Sequence, residues 1–506
     1  MMKIETGKLR KILFFLAIAY IYIPLMIFVI GYEKLWIAGI TIGVCFFCFW
    51  RAQRDYKTEW EESKSVRVPI GGVVVCFALL AVVSYYAGWG GFAPQSSDWN
   101  KHNALLRDLV QREWPVYYQN GNETSMLIYY MGSYTLPACV GKIFNSFRVA
   151  EITQFVYNYV GLVLVAVHLW SVVKAKTWKK MLCSTWVLVS FSGVFILRDL
   201  VSGFYPAGAK FDTHWFIRYG TMILQLRPNF IMLRWAFQQF IVPLLCLMLF
   251  LQYRKKVQHY VFLMLPTVLY ATLSFIGIAV TALAYAGYSL FKKKVVIREI
   301  LSVENILMGT VLGGNLLIYF YGSILADKPE TVGLHLINYS TNIWIYLAFI
   351  FSEFGIYVLL LWKKNHREPL FIIITIILCV LPFFSLGLYN DLLLSAAVVP
   401  FNMLMIYILR YLFDEETWKN KKSRIKGKAI IIILFLSLWQ SFGEVAIIAF
   451  EDRVTLLQQR DEWKTLEKMA NRNLDTEIDF KYNYYDYDYE NNIFYKYVAR
   501  KKNESH

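Results

Sequence analysis

The strongest constraint in this chain is a series of apolar runs, each about as long as a bilayer is thick. The first is "ILFFLAIAYIYIPLMIFVIG" at 12–31. A helix crosses a hydrocarbon core of about 30 Å with roughly 17 to 25 mostly apolar residues. Runs of that kind recur along all 506 residues, mean hydropathy is +0.43, and only 17% of residues are charged. A soluble chain carries roughly 25% charge. The expected fold class is therefore an all-α polytopic membrane protein. A net charge of +16 would suit nucleic acid. Here, however, the basic residues come in short clusters between apolar runs, the pattern by which membrane proteins orient themselves. No nucleic-acid partner is expected.

Those clusters test any topology. Spans at 12–31, 35–50, 68–89, 151–173, 181–197, 231–252, 258–273, 276–291, 304–325, 343–362, 370–387, 392–413 and 429–450 place "RAQRDYKTEWEESKSVR", "KAKTWKK", "KKKVVIR" and "KKNHR" on one side. With the positive side inside, this predicts about thirteen transmembrane helices, a cytoplasmic N-terminus and an extracytoplasmic tail. The first run lacks a small-residue cleavage site and reads as a retained span rather than a signal peptide. "MLIYYMGSYTLPACVGKIF" (126–144) is also apolar. Making it a span would turn "KAKTWKK" outward, so it is expected outside, on the membrane surface; Gly132, Pro137 and Gly141 weaken it as a helix. The run "VQHYVFLMLPTVLYATLSFIGIAVTALAYAGYSLFKKK" reads as two short spans turning near Ala271–Phe275.

Three divisions follow: 1–67, a two-helix hairpin and cytoplasmic loop; 68–450, the membrane core, with outer loops at about 90–149 and 198–230; and 451–506, a Tyr-rich tail. "CFFC" at 45–48 has metal-like spacing but lies in an apolar run with no second pair, so Cys45 and Cys48 read as helix-filling residues.

The first outer loop holds the densest chemistry. "SSDWNKHNALLRDLV" puts Asp98, Lys101, His102, Arg107 and Asp108 in eleven positions. From Asp98 the pattern is amphipathic: Trp99, Leu105, Leu106, Leu109 and Val110 on one side, with Lys101, Arg107 and Asp108 toward water or headgroups. An interfacial helix capped by Asp98 explains this as well as a site does. As a site, it joins a carboxylate able to take a proton to Lys101 and His102, three and four positions on, able to hold a leaving phosphate. The second outer loop adds Asp199, Asp212, His214, Arg218 and Arg227. An arginine there would clamp a phosphate bidentately or simply meet headgroups. Asp212 and His214 leave a divalent metal open, with no third ligand at useful spacing. No cofactor is otherwise expected. Asp391, at the outer boundary of a later span, is a further candidate.

A carboxylate opening the first large outer loop, followed by interfacial helices and many spans, resembles the GT-C superfamily of membrane glycosyltransferases. The resemblance is to the branch containing protein O-mannosyltransferases and lipid A aminoarabinose transferases, and to uncharacterised bacterial members. "DWNKHNALLRDLVQREWPVYY" with "LIYYMGSYTLPACVGK" is similar to their first loop; "RWAFQQFIVPLL" resembles a W-x-P-Q-H segment, and "YNDLLLSAAVVPFNML" an N-D segment. The chain departs from the pattern at Phe240, where an imidazole is expected, and at Ser395, near an expected arginine. The resemblance implies a polyprenyl-phosphate-linked sugar donor, a glycan, lipid or protein acceptor, and catalysis in the cell membrane. It maps the general base of that branch onto Asp98; residue chemistry and position make Lys101, His102, Arg218 and Arg227 the candidates to hold donor phosphate, and Asp199, Asp212, His214, Gln238, Gln239 and Asp391 the candidates to line the substrate site. A related polysaccharide polymerase or ligase, relying on the second loop, and a lipid-linked saccharide transporter remain the alternatives. The transporter reading lacks buried charge along the spans and an inverted repeat.

Overall fold

The computed structural model describes residues 2–61, 65–120, 123–194, 210–211, 217–219, 222–325, 333–340, 342–387, 389–450, 466 and 484–500. Within these the chain is mostly helical, and seven helices are long and apolar enough to cross a membrane. They are α1 (Thr6–Tyr32), α2 (Leu35–Trp60), α6 (Phe147–Val172), α11 (Thr272–Phe291), α12 (Ile297–Tyr321), α13 (Ile343–Asn365) and α15 (Asp391–Phe413). Shorter apolar helices lie between them: α3 (Ile70–Tyr86), α9 (Phe237–Tyr253), α10 (Val257–Tyr270) and α14 (Pro369–Phe383). Helices α7 (Trp178–Ser190) and α16 (Lys421–Phe450) occupy two more of the expected spans. α15 and α9 are buried along their lengths and form the centre of the bundle. α11 approaches α15 at Gly277, where a Cβ would run into the Ala396 carbonyl oxygen, so only glycine permits that contact.

The two ends of the bundle differ. At one, strand β1 (Met2–Glu5) pairs antiparallel with β2 (Ser65–Val68), Arg51 binds Glu304 at 2.5 Å, and His259 meets Asp55 at 2.9 Å. Lys364 also pairs with Asp414 at this end. At the other end lie α4 (Asp98–Gln111), β3 (Tyr117–Asn120), β4 (Glu123–Leu127), α5 (Gly132–Ile143) and α8 (Asn229–Trp235). The tail joins this second end. Strand β6 (Tyr485–Asp486) adds to β4, and Ala499 bridges Glu33 at the α1–α2 turn. The described part of the tail is thus the third strand of the first-loop sheet, not a separate unit. Aromatic stacking holds it: Tyr129 lies on Tyr484 with ring centroids 4.1 Å apart.

Several expectations are corrected. Within 126–144, residues 132–143 do form a helix, and this α5 is buried between α1 and α4 instead of lying on a surface. Thr135 Oγ1 donates to the Pro24 carbonyl of α1, and the ring of Tyr270 covers Gly132. α2 continues as helix to Trp60, through much of the expected cytoplasmic loop. The expected span 231–252 breaks at Ala236, whose φ/ψ of −144°/47° is non-helical, into α8 and α9. Asp108, expected in water, is buried. It accepts from Tyr118 Oη at 3.0 Å and from the Leu466 amide at 3.2 Å, which offsets the cost of desolvating it. The turn foreseen near Ala271–Phe275 falls at Ala271, where α10 ends and α11 begins.

Candidate active site

The segment from Trp89 through α4 is held against α8 by three side chains. Trp89 Nε1 donates to the Leu233 carbonyl at 2.9 Å, Trp99 Nε1 to the Arg234 carbonyl at 2.7 Å, and His102 Nε2 reaches the Trp235 carbonyl at 3.1 Å. These consecutive carbonyls end α8 and lack intrahelical partners, because the break at Ala236 removes the next turn. The first outer loop therefore supplies the C-terminal cap that a broken helix needs. Arg234 completes the lock by donating to the Pro94 carbonyl at 2.8 Å.

His102 is committed to this lock. Its Nε2 faces a carbonyl, which can only accept, so that nitrogen carries the hydrogen. Nδ1 then accepts from Tyr134 Oη, 2.7 Å away. Burial pushes its pKa down to about 4, outweighing the pull of nearby Asp98. It is a neutral, positioning imidazole at physiological pH and cannot serve as the phosphate-binding cation foreseen for it.

Asp98 is the first residue of α4, and Lys101 Nζ sits 3.2 Å from its Oδ1. Burial pushes the Asp98 carboxyl upward, but Lys101, with His102 and Arg227, outweighs it and holds the group below its ordinary value. Arg227 arrives from the second outer loop. Burial lowers its pKa, while Asp98, Asp391 and Tyr389 pull it back up, so the guanidinium lies within electrostatic reach of both carboxylates. Its Nε donates to Gln225 Oε1 at 3.2 Å, and Gln225 in turn donates to the Tyr389 carbonyl. Asn390, in a left-handed conformation (φ 54°), donates from Nδ2 to the Ile223 carbonyl at 3.0 Å and caps α15. That cap sets Asp391 at the first position of α15, against Gly387 (φ +86°), where a side chain would collide with its carboxylate.

The opposite wall is Tyr130 and Gln239. Gln239 Nε2 donates to Tyr130 Oη at 3.2 Å, and Ser395 Oγ donates to Gln239 Oε1. Tyr130 feels Asp391 and Lys101; its pKa is raised to about 12, chiefly by burial. Beneath Arg227 the remaining cavity is about 10 Å³, lined by Leu226, Asn229 and Leu394. That is room for one water at most.

Five of the expected residues thus converge from four separate segments: Asp98, Lys101, Arg227, Gln239 and Asp391. Gln238 is buried beside them, and its Oε1 has no partner among the described residues. Arg218 lies in strand β5 (Ile217–Tyr219), its backbone paired with Ile223. Asp199, Asp212 and His214 fall outside the described residues. Among the described residues no group of three His, Cys, Asp or Glu is placed to hold a metal. Tyr130 and Gln225 escaped the sequence reading, and nothing local marked them. Asn390 and Ser395 entered it only through the resemblance, Asn390 in the N-D segment and Ser395 as a departure from the pattern.

Comparison with known proteins finds no matching family model, no matching curated protein and no matching solved structure. The functional reading therefore rests on this cluster.

Proposed function

We propose that the chain is an inverting membrane glycosyltransferase of GT-C type that takes its sugar from a polyprenyl-phosphate donor. The observation that carries the proposal is the gathering of Asp98, Lys101, Arg227 and Asp391 at one end of a helical bundle. The thirteen helical segments are taken as thirteen crossings, with the Lys/Arg-rich β1–β2 end in the cytoplasm and the cluster on the extracytoplasmic face.

In this mechanism an acceptor hydroxyl oxygen attacks the anomeric carbon. The bond from that carbon to the phosphate oxygen breaks, the hydroxyl proton passes to Asp98, and the polyprenyl phosphate leaves with its charge held by Lys101 and Arg227. The resting cluster adds a control on the base. Ion-paired, Asp98 is ionised but weakly basic. A donor phosphate that draws Lys101 and Arg227 to itself removes the charges that depress the carboxyl, so donor binding raises its basicity. Asp391 competes with the phosphate for Arg227 and so favours product release.

Arg227's central position gives a second reading some support, a polysaccharide polymerase or ligase that works from the second loop. Transfer from a radiolabelled polyprenyl-phosphate sugar, in membranes bearing the native chain or Asp98→Asn, separates the two. Loss of a proton acceptor should slow transfer at least ~10²-fold. Undiminished transfer in the variant supports the polymerase or ligase reading, and no transfer by the native chain from any donor tried refutes the glycosyltransferase.

A further inference from the structure

A second polar space lies at the opposite end of the bundle, far from the cluster above. Its volume is about 370 Å³, within the range of small-molecule sites and far larger than a trapped water. Arg254, Lys364, Arg367, Glu368, Tyr407 and Arg410 line it. Four cations face one carboxylate. Lys364 is already matched to Asp414, whereas Arg254, Arg367 and Arg410 form no ion pair within 4 Å among the described residues. Helix ends explain part of this arrangement. The C-termini of α9, α13 and α15 meet here, and cations offset their dipoles. Arg410 is explained in that way, and it also donates to the Val172 carbonyl at 3.3 Å. Among the described residues Arg254 and Arg367 have no such partner, although they border an open space lined by Tyr407.

Three guanidinium groups around one half-open space hold like charges together at an electrostatic cost, which an anion would relieve. Guanidinium forks match the oxygens of a phosphate in particular. Trp362 and Leu359 on α13 are exposed nearby, giving an apolar surface on which acyl chains can lie. We propose that this space binds one phosphate group, a monoester or diester, carried either on a lipid headgroup or on a soluble molecule. A basic pocket between transmembrane helices is the kind of site that takes such a group.

The test titrates the purified full chain in neutral detergent with dioleoylphosphatidylglycerol and, separately, with inorganic phosphate. Native mass spectrometry counts retained ligand, and thermal unfolding reports its stabilisation. The variants are Arg367→Gln, Arg254→Gln/Arg367→Gln, and the control Lys363→Gln, which removes an exposed charge from the same helix end without touching the space. One phosphatidylglycerol retained per chain, weakened at least 10-fold in the double variant and unaffected in the control, supports the proposal with a lipid as source. The same dependence with inorganic phosphate supports it with a soluble source. Should the double variant unfold, Arg367→Gln alone decides, because Arg367 is exposed and its loss leaves the packing intact. Saturable binding of neither probe, or binding equal in the native chain and the folded variants, overturns it.

Discussion

Replacing His102 with glutamine tests whether this imidazole is a neutral strut or a charged ligand. Glutamine can keep both bonds, donating to the Trp235 carbonyl and accepting from Tyr134, but cannot titrate. In the folded chain the imidazole titrates at about 4, against about 6.5 when unfolded. Above pH 6.5 both states are neutral and His102 adds no pH dependence. As pH falls from 6.5 toward 4, the unfolded chain takes up a proton that the folded chain refuses, so stability is lost. At 1.36 kcal/mol per pH unit the loss approaches ~3 kcal/mol, and it levels off below pH 4. The assay is thermal unfolding in detergent from pH 8 to 4 for both proteins. The native-minus-variant difference should be flat above pH 7 and fall below 6.5. A difference that grows as the pH falls would mean a protonated, cationic His102 in the folded chain, and the neutral-strut argument would fail.

Three further outcomes follow from particular contacts. Arg227→Gln should lower kcat/KM for donor by ~10²-fold, with kcat falling too, because charge-assisted bonds to the leaving phosphate contribute about 1.5–3 kcal/mol each; steady-state kinetics in membranes checks this. Asp108→Ala strands the Tyr118 hydroxyl and the Leu466 amide. It should cost about 2–3 kcal/mol and speed proteolysis between β3 and β4, read by timed digestion. Gly277→Val forces a side chain into the Ala396 carbonyl between α11 and α15 and should cost about 1–3 kcal/mol or more, seen as a lowered unfolding temperature.

The membrane class and the helical segments were legible because hydrophobic length and charge clusters are local signals. So was the start of α4 at Asp98, and the burial of Trp99, Leu105, Leu106, Leu109 and Val110. The break at Ala236 was not. It depends on Trp99 and His102, more than 130 positions away, taking over the carbonyls of α8. Asp108 was misplaced for a related reason: its partners are Tyr118 and Leu466, and only the fold brings Leu466 near. Of the candidate site, Asp98, Lys101, Arg227, Gln239 and Asp391 were each named from residue type and position. Their assembly around one guanidinium was not readable, since it depends on Gln225 and Asn390 stitching the second loop to the start of α15. His102 shows the converse error. Helical spacing placed it on the face of Asp98, but its ring turns into the α8 lock.

The central claim is that Asp98 and Arg227 act as one site, and a double-mutant cycle measures it. Transfer from a radiolabelled polyprenyl-phosphate sugar would be compared in native membranes and in those with Asp98→Asn, Arg227→Gln, or both. If donor phosphate binding at Arg227 sets the basicity of Asp98, the second substitution costs much less once the first is present, leaving a coupling of about 1–3 kcal/mol. Losses that simply add would show two independent residues and contradict the account.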